Sequence, residues 1–326
     1  DGLPAGFASS NGRIEAIEID IATKMPGRIK DILVDEGDLV RSGKIVARMD
    51  TAVLEAQHRE AEAQLRQALV GVETAKSQVT QRQAEKAAAV AVMAQRQAEL
   101  DAATKRFART EELAKNKVAS RETMDDVRAG YEGARAAVSA AEAQSAAADA
   151  AIGVARSQVI KGESEVEAVR ATIDRIQADI DDSQLKAPRA GRVQYRVTQP
   201  GEVLGAGGKV LNLVDLTDVY MTFFLPETVA GRVALGSEAR IVIDAAPQFV
   251  IPAKISFVAS TAQFTPKTVE TESERQKLMF RVKAQIDREL LVRHLQQVKT
   301  GLPGVAWVKV DPQAAWPARL AVNVAP

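Results

Sequence analysis

Residues 61–107 read AEAQLRQALVGVETAKSQVTQRQAEKAAAVAVMAQRQAELDAATKRF, within a run that contains no proline between Pro26 and Pro188. Alanine is the best helix former and proline breaks the backbone hydrogen-bond ladder, so this composition predicts helix. Large apolar residues recur every seven positions, with Lys86 as the interruption: Leu65, Val72, Val79, Met93, Leu100 and Phe107. A second position repeats small residues, with Arg82 and Arg96 as interruptions: Ala61, Ala68, Ala75, Ala89 and Ala103. A sustained seven-residue repeat is typical of a coiled coil.

A second repeat follows in a different register. Its large position holds Met124, Tyr131, Val138, Ser145, Ile152, Val159, Val166, Ile173 and Ile180. Its partner position, small in the middle of the series, holds Val127, Ala134, Ala141, Ala148, Ala155, Gly162, Val169 and Ile176. The register changes within residues 115–120, and Ser120 fits the N-cap of a new helix. The sequence therefore predicts an antiparallel hairpin over 51–183, with arms of about 90 Å and its tip at 115–120.

The charged seam residues Arg82, Lys86 and Arg96 leave two interpretations open. Their aliphatic stems can cover the seam while the charges reach water. Alternatively, they specify the register of the coil or contact a neighbouring protomer.

Two similar segments flank the predicted hairpin. Residues 27–50 read GRIKDILVDEGDLVRSGKIVARMD, and residues 191–215 read GRVQYRVTQPGEVLGAGGKVLNLVD. With one insertion at Gly208 they align over their whole length, so that Gly37 matches Gly201 and Gly43 matches Gly207. Each copy is a strand, a glycine-containing turn and another strand, too small to bury a core alone. Two copies related by a pseudo-twofold axis would close a small sandwich over 20–50 and 184–216.

Short apolar strands separated by glycine and proline continue over 217–311 and predict a small antiparallel barrel. Residues 1–19 and 312–326 form terminal segments. Arg13–Ile21 and Arg319–Val324 both alternate apolar and polar residues, and we expect them to pair with each other near a membrane.

Composition excludes several functions. The 326 residues carry 43 basic and 43 acidic side chains, so no net charge favours nucleic acid as a partner. There is no cysteine, and the two histidines, His58 and His294, are far apart in sequence, so we expect no metal site. The motifs that resemble a phosphate loop or a catalytic site are incomplete, so we also expect no cofactor and no enzyme activity. No stretch approaches the ~20 apolar residues of a membrane span. Because the sequence begins with Asp1, we expect a signal or anchor segment to have been removed.

The paired segments resemble the two halves of a biotinyl/lipoyl domain, split by a helical hairpin as in membrane fusion proteins, or periplasmic adaptors, of haemolysin-D type. The resemblance covers almost the whole chain. It implies an elongated multidomain α+β fold: a long antiparallel coiled-coil hairpin inserted in a split lipoyl-like β-sandwich, followed by a small β-barrel.

Two motifs extend the resemblance. The family carries R-L-x-x-L-x6-S at the hairpin tip, which contacts a TolC-like outer-membrane channel. Arg109, Leu113 and Ser120 match it, whereas Thr110 replaces a leucine. A segment that includes Phe264, Thr265, Pro266 and Lys267 resembles one in adaptors of ABC-type exporters.

The resemblance therefore implies an adaptor in the periplasm of a Gram-negative bacterium, associated with the inner membrane. Its partners would be an ABC-type inner-membrane transporter, a TolC-like channel and further copies of itself, as a ring of six. One alternative is a lipoyl or biotinyl carrier, although Asp50-Thr51-Ala52 stands where such a carrier presents a lysine. The other is a structural coiled-coil spacer.

Overall fold

The computed structural model describes residues 6–261 and 279–324. The chain divides into two compact units, one comprising Asp1–Thr51 with Asp181–Pro326 and the other Ala52–Ile180. The helices are α1 (Ala52–Lys115), α2 (Arg121–Asp182), α3 (Glu227–Ala230) and α4 (Arg288–Arg293), with a 3-10 turn at Ala318–Leu320. The strands are β1 (Phe7–Ala22), β2 (Gly27–Ile32), β3 (Leu39–Val40), β4 (Ile45–Met49), β5 (Gln184–Lys186), β6 (Gly191–Arg196), β7 (Val203–Leu204), β8 (Lys209–Pro226), β9 (Glu238–Ile243), β10 (Ile251–Val258), β11 (Met279–Ile286) and β12 (Pro303–Lys309).

Helices α1 and α2 form the predicted antiparallel coiled coil. Seam positions on both helices are the buried ones: Ala61, Val72, Ala75, Val138, Ala141, Ile152, Ala155, Val166 and Ile176. Near the tip, the rings of Phe107 and Tyr131 stack with centroids 5.3 Å apart. Farther along, a β-carbon built on Gly162 would lie 3.1 Å from Val72 Cγ2. The Val72–Gly162 contact sets the register, with large seam residues of α1 opposite small ones of α2.

The charged seam residues behave in two ways. The ammonium group of Lys86 forms an ion pair with Asp149 of the opposite helix, and this contact lowers the pKa of Asp149. Arg82 and Arg96 instead pair with glutamates three residues later on their own helix, Glu85 and Glu99, each at 2.8 Å. Only Lys86 therefore links the two arms through its charge.

The two half-motifs form a sandwich with a pseudo-twofold arrangement of backbone hydrogen bonds. The Gly37 N–H donates to Val193 at 2.8 Å, and the Gly201 N–H donates to Ile29 at 2.7 Å. These four residues are matched pairs in the sequence alignment. Gly37 and Gly201 also share a left-handed conformation, at φ 93° and 94°, which only glycine adopts readily. The predicted internal repeat is thus confirmed at the level of individual bonds.

A closed six-stranded barrel follows the sandwich. Its strands run in the order β1-β12-β9-β10-β11-β8, and β1 closes the ring by pairing with β8. The largest fully buried core side chains of the barrel include Phe223, Met221 and Ile241. Strands β1 and β8 are long enough to continue into the sandwich, where β8 also pairs with β6. The barrel and the sandwich therefore share two strands.

The expected pairing of the two terminal segments is wrong. Residues 13–21 belong to β1 and pair with β8, whereas Asn323 forms an isolated bridge with Val250. The alternating pattern correctly shows that one face is buried, but it does not specify a partner strand. The barrel needs β1 to close, because otherwise the edges of β8 and β12 would stay unpaired. The motif at Phe264, Thr265, Pro266 and Lys267 lies outside the described residues.

Candidate partner-binding site at the hairpin tip

The end of α1 is built as a Schellman motif. The Val118 N–H donates to the Leu113 carbonyl at 2.9 Å, and the Lys117 N–H donates to the Ala114 carbonyl at 3.0 Å. These are the two bonds that define the motif, and they require a left-handed residue after the helix. Lys117 takes that position with φ 57°. Among the described residues, it is the only non-glycine residue with a positive φ. The turn therefore terminates α1 with the carbonyls of Leu113 and Ala114 satisfied.

The start of α2 is capped by Ser120, as the sequence predicts. Its hydroxyl oxygen accepts the Thr123 N–H at 3.1 Å and lies 2.8 Å from the Thr123 hydroxyl. An N-cap serine satisfies one of the free donors at a helix start. Ser120 consequently has a structural role at the tip whatever else it contacts.

Arg109 and Leu113 lie one turn apart near the end of α1 and are both exposed. Leu113 has 44% of its surface accessible. The side chain of Arg109 forms neither a hydrogen bond nor an ion pair with any residue in the described ranges. Thr110, which replaces the leucine of the family motif, is half-buried. We call Arg109, Leu113 and Ser120 the tip patch.

Val118 is an apolar tip residue that sequence reasoning missed. It is 72% exposed in the turn between the helices. In a Schellman motif the residue at this position usually contacts the third-last helical residue, which here is Leu113. Two branched apolar side chains at one helix end form an apolar surface that the hairpin itself leaves accessible to water.

The charges around the tip patch are mixed. Lys115 pairs with Glu111 at 3.7 Å, an exposed contact that contributes between about 0 and 1 kcal/mol. Arg109 is left with a planar, forked donor that suits carboxylates or backbone carbonyls. The patch can thus bind a protein surface through apolar contact and hydrogen bonds from one cation.

Other chemistry has little support in the described parts of the chain. His58 is half-buried at a seam position, with its Nδ1 3.7 Å from Glu62. No cluster of three or more His, Asp or Glu side chains in the described ranges could hold a metal ion. None of the described helices is long and apolar enough to cross a membrane.

Comparison with known proteins agrees with this architecture. The chain is similar to a crystal structure of MacA from Actinobacillus actinomycetemcomitans, with TM-score 0.52 and 16% identity over 93% of this chain and 78% of that one. It is 30% identical to a UPF0194 membrane protein of Citrobacter koseri over 83% of this chain and 81% of the relative. It is 31% identical, with the same coverage, to the UPF0194 membrane protein YbhG of Salmonella arizonae. No family model matches the chain.

A helical hairpin inserted in a split lipoyl-like sandwich, with an adjoining six-stranded barrel, is the fold of the membrane fusion proteins. The chain belongs to the family of UPF0194 membrane proteins.

Proposed function

We propose that this chain links an ABC-type inner-membrane transporter to a TolC-like outer-membrane channel, with the tip patch as the surface that binds the channel. The carrying observation is the exposure of Arg109 and Leu113 at a tip whose backbone is already satisfied by its own caps. A tip that only connected the two helices would not require an exposed leucine and an arginine side chain without a partner in the described residues. Val118 extends the same apolar surface.

We further propose that the protein works in the periplasm, associated with the inner membrane, as a ring of six copies. Its membership in a family named as membrane proteins supports the membrane association. The ABC assignment rests on the motif at Phe264–Lys267 and so remains a sequence-based proposal. We also propose that the two terminal segments, 1–19 and 312–326, lie near the membrane, although their described residues do not pair with each other as strands.

A lipoyl or biotinyl carrier is less well supported. Strand β4 ends at Met49 and α1 begins at Ala52, so the chain passes into a helix where a carrier would display a modifiable lysine on a tight turn. A structural spacer would not need an exposed apolar tip.

The proposal is tested with Arg109→Glu/Leu113→Ser in the full-length chain. A matched control is Arg66→Glu/Leu69→Ser, since Leu69 on the same helix is 42% exposed, close to the value for Leu113. The control site lies about 65 Å from the tip patch along the helix. Both variants should keep the helicity and melting temperature of the wild type.

Only the tip variant should lose chemical cross-linking to the outer-membrane channel. Retention of cross-linking by a folded tip variant would exclude the tip patch as the docking surface. Equal loss in both variants would show that the effect comes from the hairpin as a whole.

A further inference from the structure

One end of the barrel contains a cavity of about 300 Å3 with a predominantly apolar wall. The residues that line it include members of the barrel core, such as Ile14, Val219 and Ile286. Phe249 and Leu291 also line it. Cavities of this size at the mouth of a β-barrel are a common location for small-molecule sites. The hydrophobic core therefore leaves ligand-sized space at this end.

Two tethers from other parts of the same unit hold the walls of the cavity. Arg192 of the sandwich donates to the carbonyls of Val298 and Leu295, both at 3.1 Å, and so fixes the segment after α4. Asn323 donates its side-chain amide to the Gln248 carbonyl at 2.8 Å, which fixes the loop before β10. Neither tether contributes its own side chain to the lining. The opening is thus bounded by segments that long-range hydrogen bonds keep in place.

The polar groups of the cavity indicate the charge of its ligand. Among the described residues that line it, Lys299 carries the only permanent charge, and no carboxylate is present. His294 and Gln297 add an imidazole and an amide that can form hydrogen bonds. An exposed cation beside an apolar cavity complements a molecule with an apolar body and an anionic end.

We propose that this barrel-mouth cavity binds an amphipathic organic anion, with the apolar part in contact with lining residues such as Phe249 and Leu291 and the anionic group at Lys299. The site is separate from the tip patch and does not depend on channel docking. A free amphiphile and the acyl chain of an anionic membrane lipid share this chemistry, and binding measurements can distinguish them.

Isothermal titration calorimetry with octanoate and octanol tests the proposal on the full chain. Octanoate should bind about tenfold more tightly than octanol, because only octanoate can form a charge-assisted hydrogen bond. Lys299→Gln should bring the two affinities close together. No octanoate binding, or equal binding of both compounds to the wild type, would overturn the proposal.

Ala246 lines the cavity, so Ala246→Phe should fill it and abolish octanoate binding. Ala234→Phe is the control, since Ala234 is exposed and lies outside the cavity. Val298 also lines the cavity, so Val298→Phe is a second variant that should fill it. It replaces Ala246→Phe in the binding measurement if Ala246→Phe melts at a lower temperature than the wild type. Unchanged octanoate binding in a folded cavity-filled variant would contradict the site.

Co-sedimentation with phosphatidylglycerol vesicles distinguishes the two sources of ligand. Vesicle binding that is lost in both Lys299→Gln and the cavity-filled variant supports the site with a membrane lipid as occupant. Octanoate binding without such vesicle binding supports the site with a free amphiphile as occupant. Failure of both measurements would overturn the proposal and leave the function of the tip patch untouched.

Discussion

Replacing Ala141 with leucine should destabilise the hairpin by about 1–3 kcal/mol, the usual cost of overpacking a close-packed interior. Ala141 is a small seam residue with only 7% of its surface exposed. Moving three heptads along both helices from the Val72–Gly162 contact places Met93 opposite Ala141. At the Val72–Gly162 contact, a β-carbon built on Gly162 would lie 3.1 Å from Val72 Cγ2, so the two helices approach each other closely there. An isobutyl group at Ala141 must therefore displace Met93 or push the helices apart.

The assay is urea unfolding of the full-length chain, followed by far-ultraviolet circular dichroism. Because the long helices dominate this signal, it reports mainly on the hairpin. With a slope of about 2 kcal/mol per M, a loss of about 2 kcal/mol shifts the midpoint down by about 1 M.

Ala136→Leu is the matched control, because Ala136 is exposed on the same helix. Its effect should stay within about 0.5 kcal/mol. Equal shifts at the two positions, or stabilisation by Ala141→Leu, would refute the seam assignment and the register derived from it.

Three other predictions concern single sites. Lys86→Leu should raise the urea midpoint, since it places an apolar side chain at a large seam position and removes only an exposed ion pair; a lowered midpoint would show that the charge is needed. Gly153→Ala should stabilise α2 by up to about 1 kcal/mol, since no atom lies within 4 Å of the added methyl, whereas Gly162→Ala should gain less because of its tight seam contact; equal gains in urea unfolding would contradict this. The Trp316 N–H donates to Glu238 at 2.7 Å and lowers the pKa of that carboxyl, so the stability it contributes is present above the unfolded-state pKa and is lost as pH falls through the lower folded-state value. The melting temperature should therefore fall more steeply below about pH 4.5 in the wild type than in Trp316→Phe, and parallel curves would argue against the contact.

The hairpin and the sandwich could be predicted because their signals are periodic. A seven-residue repeat specifies which helix faces meet, and the change of register at 115–120 marks the turn between α1 and α2. The repeated glycines specify matching turns, since Gly37 and Gly201 need the same left-handed backbone. In each case a local pattern determines a local geometry.

The closure of the barrel could not be read from such patterns. Alternation along Arg13–Ile21 shows a half-buried strand, but partner choice depends on which sheet edges remain open. The hydrogen bonds of Arg192 to the segment after α4 join residues about a hundred positions apart and have no local signature. The barrel-mouth cavity that this segment borders was invisible for the same reason.

At the tip, the sequence predicted the cap of Ser120, which the structure confirms, but not the exposure of Val118. That exposure depends on the left-handed conformation of Lys117, a position where glycine would have been the expected signal. Contact of Arg109, Leu113 and Ser120 with a channel remains a prediction.

Site-specific photo-cross-linking from Leu113 tests the central proposal most directly. A photoreactive phenylalanine derivative replaces Leu113 in the full-length protein in cells, with the same replacement of the similarly exposed Leu69 as the control. The adducts are identified by mass spectrometry. Docking through the tip patch predicts an adduct with an outer-membrane channel from position 113 and none from position 69. Absence of a channel adduct from position 113, or equal adducts from both positions, would contradict it.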